Sequence, residues 1–285
     1  MIAVTGATGQ LGRLVISALL DKVPAASVVA AVRSPEKAAD LAEKGVIVRA
    51  ADYAKPDTLK AAFEGVDTLL LISSSEVGQR APQHAAVIAG AKEAGVGTVA
   101  YTSILKADSS PLMLAEEHRV TEADLKASGL DWVILRNGWY TENFAGVVPV
   151  AVQHGAVIGS SGEGRVSAAS RADYAEAAAV VLTDPAAHAG KTYELAGDAG
   201  FTKADLAAEI AAQSGKPVVY ADMPEADYAA ALEQAGIPGP FAQVLANSDT
   251  GQSQGALEGD GTVLSGLIGR ATQPMSAMVS AALAG

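Results

Sequence analysis

The chain alternates short apolar runs with longer segments in which apolar residues recur every three or four positions. The runs are IAVTG (2–6), SVVAAV (27–32), VIVRA (46–50), DTLLLIS (67–73), TVAYTS (98–103) and DWVILR (131–136). Each is rich in β-branched residues and too short for a stable helix, so each reads as a strand. They are apolar throughout rather than alternating, as strands buried on both faces must be. Between them lie helical patterns. After Gly9, the residues Leu11, Leu14, Val15, Ala18 and Leu19 share one helical face. Pro35 and Pro56 stand where the first turn of a helix accepts proline. Strand–helix alternation of this kind predicts an α/β fold with a Rossmann-type, doubly wound parallel sheet. Such a sheet binds its ligand outside the carboxyl ends of the strands.

Past Phe144 the rhythm changes. The strand-like runs AVIG (156–159), KTYELAG (191–197) and PVVYAD (217–222) mix with helical patterns, and regular strand–helix pairing fades. Glycine- and serine-rich stretches at 159–164 and 247–261 read as loops. The expected division is a Rossmann domain over residues 1–143 and a smaller mixed α/β C-terminal lobe over 144–285, part of which returns to the first domain.

Composition narrows the function. Hydrophobic residues make up 49% of the 285, enough for a sizeable core. A formal charge of −12 repels nucleic acid and anionic membrane. No apolar run is long enough for membrane insertion, and the chain has no cysteine for disulfides or thiolate metal sites. The first strand begins beside Met1, which leaves no room for a signal peptide. A cytoplasmic protein acting on a small molecule is the expectation. Its oligomeric state, homodimer included, is left open.

The first strand runs directly into TGATGQLG, with Gly6, Gly9 and Gly12 spaced three apart at the start of the first helix. Glycines there let backbone N–H groups approach a pyrophosphate, whose charge the helix N-terminus favours. The alternative is a tight turn that only packs helix on sheet. The second strand ends in Arg33, where a fold specific for NAD carries an acidic residue for the ribose hydroxyl. An arginine suits a 2′-phosphate instead; the alternative is an exposed arginine paired with Glu36. Asp52 and Tyr53, just past the third strand, are placed to cover an adenine; the alternative is an ordinary loop pair.

Taken together, GATGQLG, LLLISSSEVGQRAPQH, AYTS and LRNGWYTEN resemble the NmrA-like branch of the atypical short-chain dehydrogenase/reductases, and its bacterial quinone-reducing members most. The resemblance extends over nearly the whole chain, including YELAGD and LIG. It implies NADPH as cofactor and hydride transfer to a quinone or similar conjugated acceptor, without metal or flavin. It places Gly6, Ala7, Thr8, Gly9, Gln10 and Leu11 around the phosphates and Arg33 at the 2′-phosphate. Ser73, Ser74 and Ser75 then line the cofactor groove, and Gly138, Trp139, Tyr140, Thr141, Glu142 and Asn143 lie beside the nicotinamide. The branch also holds reductases of cationic dyes such as triphenylmethanes, and regulators that sense NADP without turnover.

For the acceptor, RNGWYTENF gathers Trp139, Tyr140 and Phe144 in a chain with only 5% aromatic residues. Flat rings suit a flat substrate; a hydrophobic plug is the alternative. Asn137 and Asn143 offer amides to a quinone oxygen or a carboxamide, or serve turns. His84, His118, His154 and His188 are too scattered for a typical zinc site. His118, after Glu116 and Glu117, reads as solvated or capping, and Ser103 as a substrate contact or a strand-end cap.

The wider superfamily's proton relay needs a lysine four residues after a tyrosine. Here Lys106 follows Tyr101 by five, and no tyrosine has the required partner. Hydride addition to a simple ketone gives an alkoxide that needs a proton near the transition state. Addition to a quinone gives a phenol-like oxygen with a pKa of ~10, stable enough to take its proton from water. The missing relay therefore fits a quinone. Tyr101 is expected in the core, Lys106 in solvent, and Tyr140 as a wall beside the ring.

Overall fold

The computed structural model describes residues 1–285. Nine strands form: β1 (Ile2–Thr5), β2 (Val28–Val32), β3 (Ile47–Ala50), β4 (Thr68–Leu71), β5 (Thr98–Ile104), β6 (Asp131–Asn137), β7 (Ala156–Gly159), β8 (Thr192–Leu195) and β9 (Val219–Asp222). Seven make one sheet in the order β3-β2-β1-β4-β5-β6-β8, and β3 through β6 pair in parallel. β7 and β9 form a separate parallel pair. The order reverses between β1 and β4, so the crevice beyond their carboxyl ends is the topological switch point.

Apolar runs became strands because both faces of the sheet are covered. Val29, Leu69, Leu71, Val99 and Tyr101 are buried on a core that also takes Leu59, Phe63 and Val87 from flanking helices. The first helix, Gln10–Leu20, packs against the helix Arg171–Thr183, whose alanines allow close approach. That second neighbour widens the buried stripe. Ile16 and Gly12 are buried along with Leu11, Val15 and Leu19, whereas Leu14, expected on the same stripe, is 37% exposed.

The chain divides into two compact units. One comprises Met1–Ala107, Glu116–Asn137 and Arg171–Tyr193; the other comprises Asp108–Ala115, Gly138–Ser170 and Glu194–Gly285. A single cut after residue 143 does not describe this. The return is more extensive than the sequence suggested, because a whole helix (Arg171–Thr183) comes back to cover the first unit. The KTYELAG run likewise gives β8, the edge strand beside β6.

A second correction concerns the serine-rich stretch 247–261. Its first part continues the helix Gly239–Ser253. The hydroxyls of Ser248 and Ser253 donate to the carbonyls of Val244 (2.8 Å) and Thr250 (2.6 Å), so polar side chains are satisfied within the helix. No helix is long and apolar enough to cross a membrane.

Candidate active site

The loop after β1 is shaped by two glycines. Gly6 has φ +58°, a left-handed conformation that favours glycine. At Gly12 an added Cβ would collide with the Gly6 carbonyl oxygen and stand 2.8 Å from Ala7 Cα, so the helix packs directly on the loop. Gly9 donates its N–H to Gly6 O (2.9 Å) and caps the helix with extended backbone. No side chain caps this helix, and its first turn has no acidic residue. Its amide dipoles are thus available to an anion.

Around this loop is a cavity of about 520 Å³, lined by Gly6, Thr8 and Gly9, by Arg13, Arg33 and Lys37, by Ala51–Tyr53, and by Ile72–Glu76 with Gln83. It thus collects the segments after β1, β2, β3 and β4, and its size falls in the ~300–1,000 Å³ range of small-molecule sites. Of the predicted phosphate-loop residues, Gly6, Thr8 and Gly9 line it. Ala7 and Leu11 are buried, so only their backbone is of use to a ligand, and Gln10 is exposed in the first helical turn.

Three cations face this space. Arg13 is already held, donating to Asp40 (2.6 Å) and to the Lys37 carbonyl (2.8 Å), and its hydrogen bond keeps the Asp40 carboxyl below its ordinary range. Arg33 pairs with Glu76 at 2.8 Å, not with Glu36. Glu76 in turn accepts from Gln83 Nε2 (2.8 Å) and gives its own N–H to Ser74 Oγ (3.1 Å). Tyr53 shares its hydroxyl proton between the Ile72 carbonyl (2.8 Å) and Thr5 Oγ1. Burial pushes that hydroxyl far above the usual tyrosine range. Its hydroxyl end is therefore anchored at the cavity wall.

The serine loop after β4 rests on a polar cluster that sequence reasoning missed. Ser73 N–H donates to Thr102 Oγ1 and Ser74 N–H to His84 Nε2, each 2.9 Å. Thr121 gives its hydroxyl proton to the Glu117 carbonyl (2.9 Å), so it must accept from His84 Nδ1 (2.9 Å). His84 is thereby held as the neutral Nδ1–H tautomer. Burial, assisted by the nearby Arg80 charge, lowers it to about 4. Arg80 Nε holds the Ser74 carbonyl (2.7 Å), and the Glu117 carboxylate accepts from the N–H groups of Gly78 and Arg80 (2.9 Å each).

Beside this, the fully buried Tyr101 hydroxyl is hydrogen-bonded to His118 Nδ1 at 2.7 Å. Burial, with Arg80 and His84 nearby, lowers His118 to about 3. His118 is therefore neither solvated nor a cap: it is 6% exposed and faces β5. The signal was the helical spacing of His118, Thr121, Glu122 and Leu125, which are all buried. Ser103 is likewise committed inside the protein, donating to Glu122 Oε1 (2.6 Å). Glu122 is clasped by Arg136 through Nε (2.8 Å) and Nη2 (2.6 Å). Lys106, expected in solvent, is half-buried in the turn after β5 with φ 55°, because that turn folds back on the strand end, where Leu105 N–H binds Asn137 O (3.0 Å).

The segment after β6 belongs to the other unit. Gly138 N–H binds Leu195 O (2.8 Å), and Trp139 and Thr141 bridge to Ala169 (3.1 and 2.9 Å). Trp139, Tyr140 and Glu142 are half-buried, Thr141 is buried and Asn143 is exposed. Phe144 is not a pocket wall: the 3₁₀ turn Thr141–Phe144 carries it inward, 6% exposed, edge-on to Phe201 at 5.4 Å. None of residues 138–144 lines the cavity described above. At the end of β6, Asn137 Oδ1 is buried without a partner.

A family model described as NAD(P)H-binding matches residues 6–185. Quinone oxidoreductase 2 of Escherichia coli (strain K12) is 54% identical over 280 residues, 98% of each chain. The crystal structure of the E. coli NADPH-dependent quinone oxidoreductase complexed with NADPH superposes with a TM-score of 0.97 at 54% identity, covering 99% of this chain and 100% of that one. Triphenylmethane reductase of Citrobacter sp., complexed with NADP(H), gives 0.95 at 39% identity, with the same coverage.

Proposed function

This chain belongs to the NAD(P)H-binding family, and on that footing we propose that it is an NADPH-dependent oxidoreductase that reduces a quinone. The observation that carries the proposal is the cavity at the switch point of the sheet. It joins an uncapped helix N-terminus, a glycine loop and Arg33 in one space, which fits a phosphorylated dinucleotide. The full-length similarity to the E. coli quinone oxidoreductase supports the acceptor class.

In this reading the amides of the first helical turn take the pyrophosphate. Arg33 takes the 2′-phosphate, Tyr53 offers its ring to the adenine, and Ser73–Ser75 line the path of the cofactor. Bound NADPH would supply the hydride. Gly138–Asn143, directly after the carboxyl end of β6, are assigned to the nicotinamide side. Trp139 and Tyr140 give flat faces to the acceptor, and Asn143 an amide to its oxygen. A hydroquinone oxygen is phenol-like, with a pKa of ~10, and takes its proton from water. Tyr101, sealed in the core, is not needed as an acid. The reading places the enzyme in the cytoplasm, with a small-molecule substrate and no nucleic-acid partner.

The test is to mix the protein with NADPH and a panel of quinones and follow the nicotinamide absorbance. Quinone-dependent consumption is expected. Consumption with triphenylmethane dyes alone would transfer the assignment to dye reduction, and tight NADPH binding without turnover on either class would make the protein a cofactor sensor.

A further inference from the structure

Arg33 is not waiting for a ligand. Its guanidinium is paired with Glu76 at 2.8 Å, and both side chains line the cavity. The carboxylate has a further partner beyond the arginine. Gln83 Nε2 holds its second oxygen at 2.8 Å, and the Glu76 N–H is tied to Ser74 Oγ at 3.1 Å. Gln83 is itself 9% exposed. The carboxylate is thus presented from the β4 loop toward the arginine at the end of β2.

We propose that Glu76 is a specificity-determining residue that competes with the cofactor's 2′-phosphate for Arg33. The proposal rests on the NADPH reading above. A phosphate can use the guanidinium fork only by displacing the carboxylate, and it then lies near a like charge. A cofactor with a free 2′-hydroxyl needs neither change, and its hydroxyl can donate to Glu76. Glu76 therefore reduces the preference that Arg33 alone would confer, and keeps the unphosphorylated cofactor usable. Of the charged groups lining the cavity, three are cations and two, Asp52 and Glu76, are carboxylates. Removing one carboxylate is a large change in the local field.

The experiment measures NADPH and NADH dissociation constants by calorimetry for the wild type, Glu76→Gln, Arg33→Ala and the double variant. Glu76→Gln keeps the shape and an acceptor for Gln83. An ion pair this exposed (68% and 46%) sets the scale, so NADPH should bind about two- to fivefold more tightly, with NADH unchanged or weaker. The gain should vanish in the Arg33→Ala background. The proposal is overturned if Glu76→Gln leaves NADPH affinity unchanged or weakens it, if NADH tightens equally, or if the gain survives without Arg33. Failure of the underlying reading looks different: Arg33→Ala would then leave the NADPH/NADH ratio at its wild-type value.

Discussion

Two buried neutral histidines give a pH dependence whose size follows from the structure. Both His84 and His118 have native values far below the ordinary 6.5, at about 4 and about 3. In the unfolded chain they titrate near 6.5. As pH falls through that value the unfolded state takes up protons and the native state does not, so stability falls. The contribution is complete above the unfolded value and is lost progressively down to the native values. At about pH 5 both histidines are still neutral in the native protein and mostly charged when unfolded. The difference of about 1.5 units at ~1.36 kcal/mol each gives about 2 kcal/mol per histidine, about 4 in all.

The carboxylates do not confuse this window. Those held low in the native state (Asp40, Asp198, Asp205, Asp222 and Asp260) start from 3.8 in the unfolded chain, so their losses come at lower pH. Urea unfolding followed by circular dichroism at about pH 7.5 and about pH 5 measures the drop. Imidazole titration by NMR assigns it. A drop below about 1 kcal/mol, or an imidazole of either residue titrating above pH ~6, would refute the argument.

Other outcomes follow from packing and from the missing relay. Gly12→Ala forces a methyl against the Gly6 carbonyl and Ala7. It should cost about 1–3 kcal/mol in urea unfolding and weaken NADPH binding in calorimetry more than tenfold, by shifting the phosphate loop. Glu122→Gln leaves Arg136 charged and buried, both side chains being about 5% exposed or less. A loss of about 3–5 kcal/mol in chemical unfolding is expected. Tyr140→Phe keeps the flat ring and removes the hydroxyl, so quinone turnover should stay within about tenfold of wild type, whereas Tyr140→Ala should lose more. A hundredfold fall in kcat for Tyr140→Phe would expose a proton relay.

The strands were legible because burial on both faces imposes an unbroken apolar run, which few other structures tolerate. The glycine loop was legible because its residues adjoin in sequence and its shape rests on the backbone of Gly6 and the close packing at Gly12. The serine loop's support was not. Ser74 and His84 are ten residues apart, and His84 and Thr121 thirty-seven, and nothing local announces either pairing. The Arg33–Glu76 contact spans forty-three positions, while Glu36 lay nearer in sequence. Helix Arg171–Thr183 was invisible as a returning element because its alanine-rich pattern fits any covering helix. Its destination is set by the packing partner, Gln10–Leu20.

The cluster behind the serine loop contains the residue types of a proton relay, yet its energetics argue for a scaffold. A relay must take up and release protons near neutral pH. Tyr101 is hydrogen-bonded to His118, and His118 does not hold an extra proton near neutral pH, since its own value lies at about 3. His84 is locked as one tautomer between Ser74 N–H and Thr121, and turning it over would break both contacts. Burial pushes the Tyr101 hydroxyl up, away from the range in which it could donate and recover. What these groups do supply is directional restraint. Thr102, His84 and Arg80 spend hydrogen bonds on the serine loop that lines the cavity. With Tyr101 and His118 both shifted away from neutral by burial, the cluster supports the fold around the serine loop and is not poised to pass protons.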